Sequence, residues 1–417
     1  MEINTDKKFR DHYGLLLNNF KQELDNSGIH PENISGNLPY PFIPAFGKNY
    51  EKSDFKIAFV GRDAKYDTES GLKEFLSSFD PLKYSDLLNY DSNDPIGYPE
   101  FICYTKGKSF WRFVLNFLLL FYNKNKLSNL DNWADLKVDG EILRSFVYGN
   151  VDSVPKFENI KEHKGINKET WKKVEHAGEV FDNSSHLINV FKPNVILLFY
   201  WGAPEKWLPE EKTEFKKFES IKLWYCFAKG TNTHFYWTNH PSSKGYSPKE
   251  ANKVLFAIIN SIKEESIFPT FPGEELIMKQ KLIENQIEKI AKELALELTI
   301  TTKYLGLSES GFYFSKPKWK KFEIGFQFEN NGFQGFFYGI CKKETKEDIN
   351  IELINESLKS ALGAADGSNP EYFIWWKWHE KKNWDTETFS QISSGEFSKN
   401  IKNQIEEIIE KVKGIEL

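Results

Sequence analysis

Cysteine is scarce in this 417-residue chain. The three present, Cys103, Cys226 and Cys341, lie far apart and form no CxxC pair. That ligand count excludes a zinc ribbon and a four-cysteine iron–sulfur cluster. Three isolated cysteines also make no disulfide framework, so they are expected to be core thiols in a reducing compartment. Long apolar runs are missing too, for none reaches the roughly 18 residues a membrane span needs. The start, MEINTDKKFRDHYG, lacks the pattern of a secretory signal. The expectation is a cytoplasmic protein with no membrane partner. Excess charge of one sign is absent as well. Residues 1–273 carry 35 basic and 36 acidic side chains, and residues 274–417 carry 20 and 24. Neither part advertises strong nonspecific binding to nucleic acid, although a local groove could still be basic.

What the chain has in quantity is aromatic surface. Its 36 Phe, 18 Tyr and 12 Trp make up 16% of the residues, and apolar residues make up 40%. A composition of this kind excludes disorder and a coiled coil, and supplies flat, stiff faces for stacking.

Helical spacing of Phe9, Tyr13, Leu16, Leu17, Phe20 and Leu24 predicts a helix over 6–26. Four short apolar runs follow, at 55–60, 145–150, 194–200 and 233–240, separated by helical stretches such as 111–123. That alternation predicts a three-layer α/β/α domain on a four-stranded, mostly parallel sheet. Ser247-Pro248-Lys249-Glu250 reads as a capping box that opens a further helix. The domain is drawn at 1–266, with a proline-bearing linker at 267–275. A separate α+β domain is drawn at 276–417. It holds a helix over 276–298, a hairpin from 321–328 into 333–340 through Asn330-Asn331-Gly332, and a closing helix near 395–413.

In a parallel sheet, functional residues sit just past the strand C-termini. The first run delivers Gly61-Arg62-Asp63-Ala64-Lys65-Tyr66, and the fourth delivers His240-Pro241-Ser242-Ser243. Alone, Asp63 reads as a turn residue and His240 as a structural histidine. On one rim, a carboxylate and a histidine can divide a hydrolysis between them.

These residues resemble motifs of the uracil-DNA glycosylase superfamily, in which a first strand ends in a glycine–polar–Asp turn and a later one in His-Pro-Ser. The stretch 196–207, ILLFYWGAPEKW, is similar to the family's strand ending in Trp-Gly. SFVYGN at 145–150 stands where a terminal Asn reads the base, and the loop with Pro39, Pro41 and Pro44 resembles the DNA-contacting loop. The resemblance covers roughly residues 30–265. It implies that Asp63 positions water and stabilises an oxocarbenium-like sugar, and that His240 stabilises the departing base. It implies further that Asn150 reads the flipped base, unless it is merely a turn residue after Gly149. Pro41, Pro44, Arg62, Ser242 and Ser243 would face DNA. Neither a metal nor an organic cofactor is implied.

The chain also departs from the family. Where a Pro-Tyr pair follows the Asp and closes the pocket against a C5 substituent, this sequence has Ala64-Lys65, with Tyr66 one place later. The wedge leucine falls near Lys244, and Tyr246 is the nearer substitute. The expected activity is therefore excision of a C5-substituted pyrimidine, such as a glucosylated hydroxymethyl-cytosine, in anti-phage defence. The alternatives are uracil repair, a non-catalytic module that binds modified DNA, and a hydrolase of a non-nucleic substrate. Lys65 could also serve as a Schiff-base amine, a phosphate contact or part of the pocket wall. In the second domain, Phe322, Ile324, Phe326 and Phe328 read as the core face of a strand. Trp375, Trp376, Trp378 and Trp384 either cover a sheet or stack on sugars or bases.

Overall fold

The computed structural model describes residues 5–30, 38–63, 71–91, 98–105, 108–122, 138–159, 167–200, 202, 205–218, 221–243, 247–268, 274–301, 305–306, 309–330, 333–343, 350–367 and 372–415. The chain divides into two compact units, 1–118 with 137–269, and 119–136 with 270–417.

The first unit holds a seven-stranded sheet. Its strands are β1 (Ala45–Phe46), β2 (Ile57–Asp63), β3 (Phe146–Asp152), β4 (Val195–Phe199), β5 (Lys216–Lys217), β6 (Leu223–Ala228) and β7 (Thr233–Thr238). The order is β1-β3-β2-β4-β7-β6-β5. The four apolar runs are the four central strands, and β3, β2, β4 and β7 are parallel. Three antiparallel strands extend this centre, so seven strands replace the expected four. Two of them, β1 and β5, are two-residue strands with no readable period. The third, β6, is six residues long and pairs along the whole of β7.

The parallel strands are apolar on both faces because helices meet both. Ala58 and Val60 share a core with Phe9, Leu16 and Phe20 of the helix Thr5–Asn26. Between them, Phe59 turns the other way, onto Phe117 of the helix Ser109–Phe121. This alternation along one strand is the period of two that a pleated backbone imposes. At Ser247 the expected capping box forms, with both reciprocal hydrogen bonds, and opens the helix Pro248–Glu264.

The second unit holds β8 (Glu297–Ile300), β9 (Gly311–Ser315), β10 (Phe322–Asn330), β11 (Gln334–Lys342) and β12 (Phe373–Trp378). They form an antiparallel sheet in the order β12-β11-β10-β9-β8. The expected hairpin is β10–β11, with Ile324 opposite Ile340 and Phe326 opposite Tyr338. The helix expected over 276–298 runs from Glu274 to Glu293, and its last residues become β8. The closing helix expected near 395–413 is Glu396–Lys411, and a further helix, Thr386–Ser394, precedes it, parted from it by Gly395 at φ +81. A glycine takes that left-handed conformation without a Cβ penalty.

One face of this sheet packs on the helices. Phe312, Phe314, Phe326, Phe336 and Trp375 share a core with Ile287, Ile401 and Ile405. Trp384 belongs to the same core. Thus two of the four clustered tryptophans are structural.

Among the described residues no helix is long and apolar enough to cross a membrane. None of their His, Cys, Asp and Glu side chains gather in threes to hold a metal.

A candidate active site at the carboxyl rim of the parallel sheet

The parallel register brings the sequence-selected residues to one edge. Gly61 lies beside Asn150, and Asp63 beside Asp152. The glycine is required there. A Cβ at position 61 would stand 2.7 Å from the Asn150 side-chain oxygen, so the amide lies over the space the glycine leaves empty.

Asn150 is 8% exposed. Its Oδ1 accepts from the Tyr148 hydroxyl at 3.2 Å. Burial pushes the Tyr148 phenol up to about 12, so at neutral pH it remains a donor and holds the amide oxygen toward itself. Nδ2 is then aimed away, and it has no hydrogen-bond partner. A buried amide donor left unpaired costs about 1–3 kcal/mol.

His240 closes the other side. The backbone N–H of Ser243 donates to the His240 carbonyl at 2.8 Å, a turn with Pro241 at its second position. The Ser243 hydroxyl donates to the same carbonyl. The Ser242 N–H donates to His240 Nδ1 at 3.2 Å. An Nδ1 that accepts leaves the proton of the neutral ring on Nε2, so the imidazole is set as an Nε2–H donor. The ring also stacks on Phe110, with centroids 5.7 Å apart and planes 9° apart.

Phe110 connects the two sides. Besides His240, it meets Tyr148 at 5.6 Å and Phe199, at the end of β4, at 5.3 Å. It also lies 3.7 Å from the Cβ position of Gly61. Nothing in the sequence singles out Phe110, which sits in the first turn of an apolar helix. Tyr148 was more accessible, since two residues before Asn150 on a strand is the same face.

The remaining candidates divide. The Asp63 backbone ends β2, but its side chain lies outside the described residues, as do Ala64, Lys65, Tyr66, Lys244 and Tyr246. Arg62 is half-buried, Ser242 exposed and Ser243 half-buried. Pro41 and Pro44 are both buried. Contrary to their expected place in a DNA-contacting loop, these two rings pack inside the unit, where apolar surface is better removed from water.

Beside the rim, where β3 and β4 end, opens a cavity of about 460 Å³. Its walls include Asp152, Glu175, Glu179 and Asp182, with Lys156 and Lys206. Asp152 is paired with Lys156 at 3.0 Å. Asp182 accepts from the Ser153 N–H at 2.7 Å, yet burial pushes its carboxyl up to about 6.

Comparison of the chain with protein-family models, with curated proteins and with solved structures finds no match.

Proposed function

We propose that the first unit is a monofunctional DNA glycosylase on a three-layer α/β/α fold, acting on a C5-substituted pyrimidine. The observation that carries the reading is the unpartnered Nδ2 of Asn150, joined through Phe110 to a histidine whose Nδ1 accepts from the Ser242 N–H.

In the proposed reaction the target base leaves the stack and its edge accepts from Asn150 Nδ2. Bond breaking between C1′ and the base nitrogen puts positive charge on the sugar and negative charge on the base. His240 Nε2–H donates to the base as that charge grows. The Asp63 carboxylate opposes the sugar cation and takes the proton of the attacking water, whose oxygen bonds to C1′. The products are a free base and an abasic site. A short residue at Ala64 in place of a closing ring supports room beside C5.

The test is base release from two DNAs, one with uracil at a defined position and one carrying glucosylated hydroxymethyl-cytosine. Abasic sites are read by alkaline strand scission. Scission of the modified DNA alone is expected, and Asp63→Asn and His240→Ala should each lose it. Tyr148→Phe with Asn150→Ala should lose about 100-fold or more in rate. Scission of uracil DNA alone would make this a repair enzyme. No scission of either would leave a DNA-binding module.

A second reading, hydrolysis of a small non-nucleic substrate, draws support from the acidic 460 Å³ cavity, a volume suited to a small molecule. Release of a base from either DNA would count against it.

A further inference from the structure

The second unit's sheet has two unlike faces. Helices pack on one. On the other, Tyr313, Cys341, Phe373, Phe337 and Trp376 form a separate apolar cluster built only from strand residues. Among the described residues no helix contributes to it.

The register explains its shape. Gly325 and Gly339 are opposite one another in β10 and β11, in the middle of this face. A Cβ on Gly325 would come within 2.8 Å of the Tyr313 ring. One on Gly339 would stand 2.7 Å from Trp376 Cβ and 2.9 Å from the Phe373 ring. The glycines therefore leave space for neighbouring rings to spread across the sheet.

The rings form a continuous ridge. Centroids step from Tyr372 to Phe373 at 5.3 Å, to Phe337 at 5.0 Å, to Trp376 at 5.3 Å and to Trp378 at 5.1 Å. The residues 372–378 span about 20 Å of extended chain. Tyr372 is 44% exposed, and Phe337, Trp376 and Trp378 are half-buried.

Lysines stand at both ends of the ridge. The β9–β10 turn reads Lys316-Pro317-Lys318-Trp319-Lys320-Lys321, with Lys318 and Lys320 exposed. It lies against the end of β11, where the Lys343 N–H donates to the Lys321 carbonyl and Lys343 Nζ donates to the Trp319 carbonyl at 3.0 Å. The Lys342 N–H, one residue earlier, donates to the Tyr372 carbonyl at 2.9 Å. At the far end Lys382 Nζ stands 3.5 Å from the centre of the Trp378 ring. Glu323 and Glu329 share this face by the period of two along β10, and the Asp366 carboxylate accepts from the Trp378 N–H at 2.9 Å; burial raises the Glu323 pKa toward the neutral form.

We propose that this face binds single-stranded nucleic acid, its bases stacking on the accessible rings of Tyr372, Phe337, Trp376 and Trp378 and its phosphates meeting the lysines at either end. A neutral glycan would use the rings but leave the lysines at both ends without a role. Stacking on every base's π-face needs no sequence, so binding is expected to tolerate any sequence. This site is independent of the chemistry proposed for the first unit.

The test uses the full chain and a fluorescein-labelled fifteen-residue oligodeoxyadenylate, which offers the first unit no pyrimidine, read by anisotropy. Tyr372→Ala with Trp378→Ala should weaken binding by about tenfold or more. Lys318→Glu with Lys320→Glu, both on exposed positions, should weaken it and flatten its salt dependence by about 0.7 for each phosphate no longer neutralised. Binding that survives both face variants overturns the proposal. So does a shift in tryptophan emission with a neutral linear glucan and none with the oligonucleotide.

Discussion

His12 and His186 tie the first helix to the helix Ser185–Phe191. The His186 Nε2–H must donate to the Val180 carbonyl, 2.7 Å away, since a carbonyl only accepts. His186 Nδ1 is therefore the acceptor, and His12 Nε2 donates to it at 2.9 Å. A proton on His186 Nδ1 would turn that acceptor into a donor and force His12 into its other tautomer. Burial is the largest cause that lowers the pKa of both, to about 4 for His186. The folded state thus favours the neutral ring, while the unfolded chain takes up a proton near 6.5. This contribution to stability is complete above about pH 6.5 and is lost as pH falls toward 4, on the order of 2 kcal/mol for a group still partly in contact with water. The melting temperature should fall between pH 7 and pH 4.5. In His186→Phe, which takes up no proton, that fall should shrink. An unchanged fall would place the acid sensitivity elsewhere, for instance at the buried His379.

The β2–β3 pair carries the site at the scale of elements. Its parallel register sets Gly61 against Asn150, and one residue of slip would turn Asn150 to the opposite face. Gly61→Ala tests this directly. The added methyl, 2.7 Å from Asn150 Oδ1, must displace the amide. Overpacking of this kind costs about 1–3 kcal/mol, which a core of this size survives. The expected result is a folded protein, by circular dichroism, with base release reduced at least tenfold. Full activity would mean that the amide has no part in reading the base. The His240 turn is the complementary element. Pro241, the Ser243 N–H and the Ser242 N–H fix the ring from its own loop, so β7 needs only to deliver the chain to the rim.

Across the whole molecule, a net charge of −5 offers no general attraction to a polyanion. Duplex affinity must then come from few contacts. Among the described candidates of the first unit these are Arg62, Ser242 and Ser243, of which only Arg62 carries charge. Duplex binding is accordingly expected to show a shallow salt dependence, with log K falling by no more than about 3 per decade of salt. A slope near −8 would reveal a basic surface elsewhere. Much of this layout was legible beforehand. Short apolar runs ending in glycine or asparagine marked the four parallel strands, because a strand buried on both faces must be apolar throughout. The alternation in 321–328 marked the hairpin for the same kind of local reason. Other features had no local signal. β1 and β5 are too short to show a period.

The sequence by itself determined the central strands, the glycine at 61, the Asn at 150 and the His-Pro-Ser-Ser turn, since each is encoded within a few adjacent residues. Only the tertiary structure decided that Asn150 keeps an unpaired donor, that Phe110 from a distant helix stacks on His240, and that Pro41 and Pro44 are buried. It also decided that Trp375 and Trp384 join the core beneath the helices and that Trp376 packs on the opposite face of the sheet. Partner and burial are properties of the packed chain. They depend on which residues, far apart in sequence, the sheet register and the helices bring together.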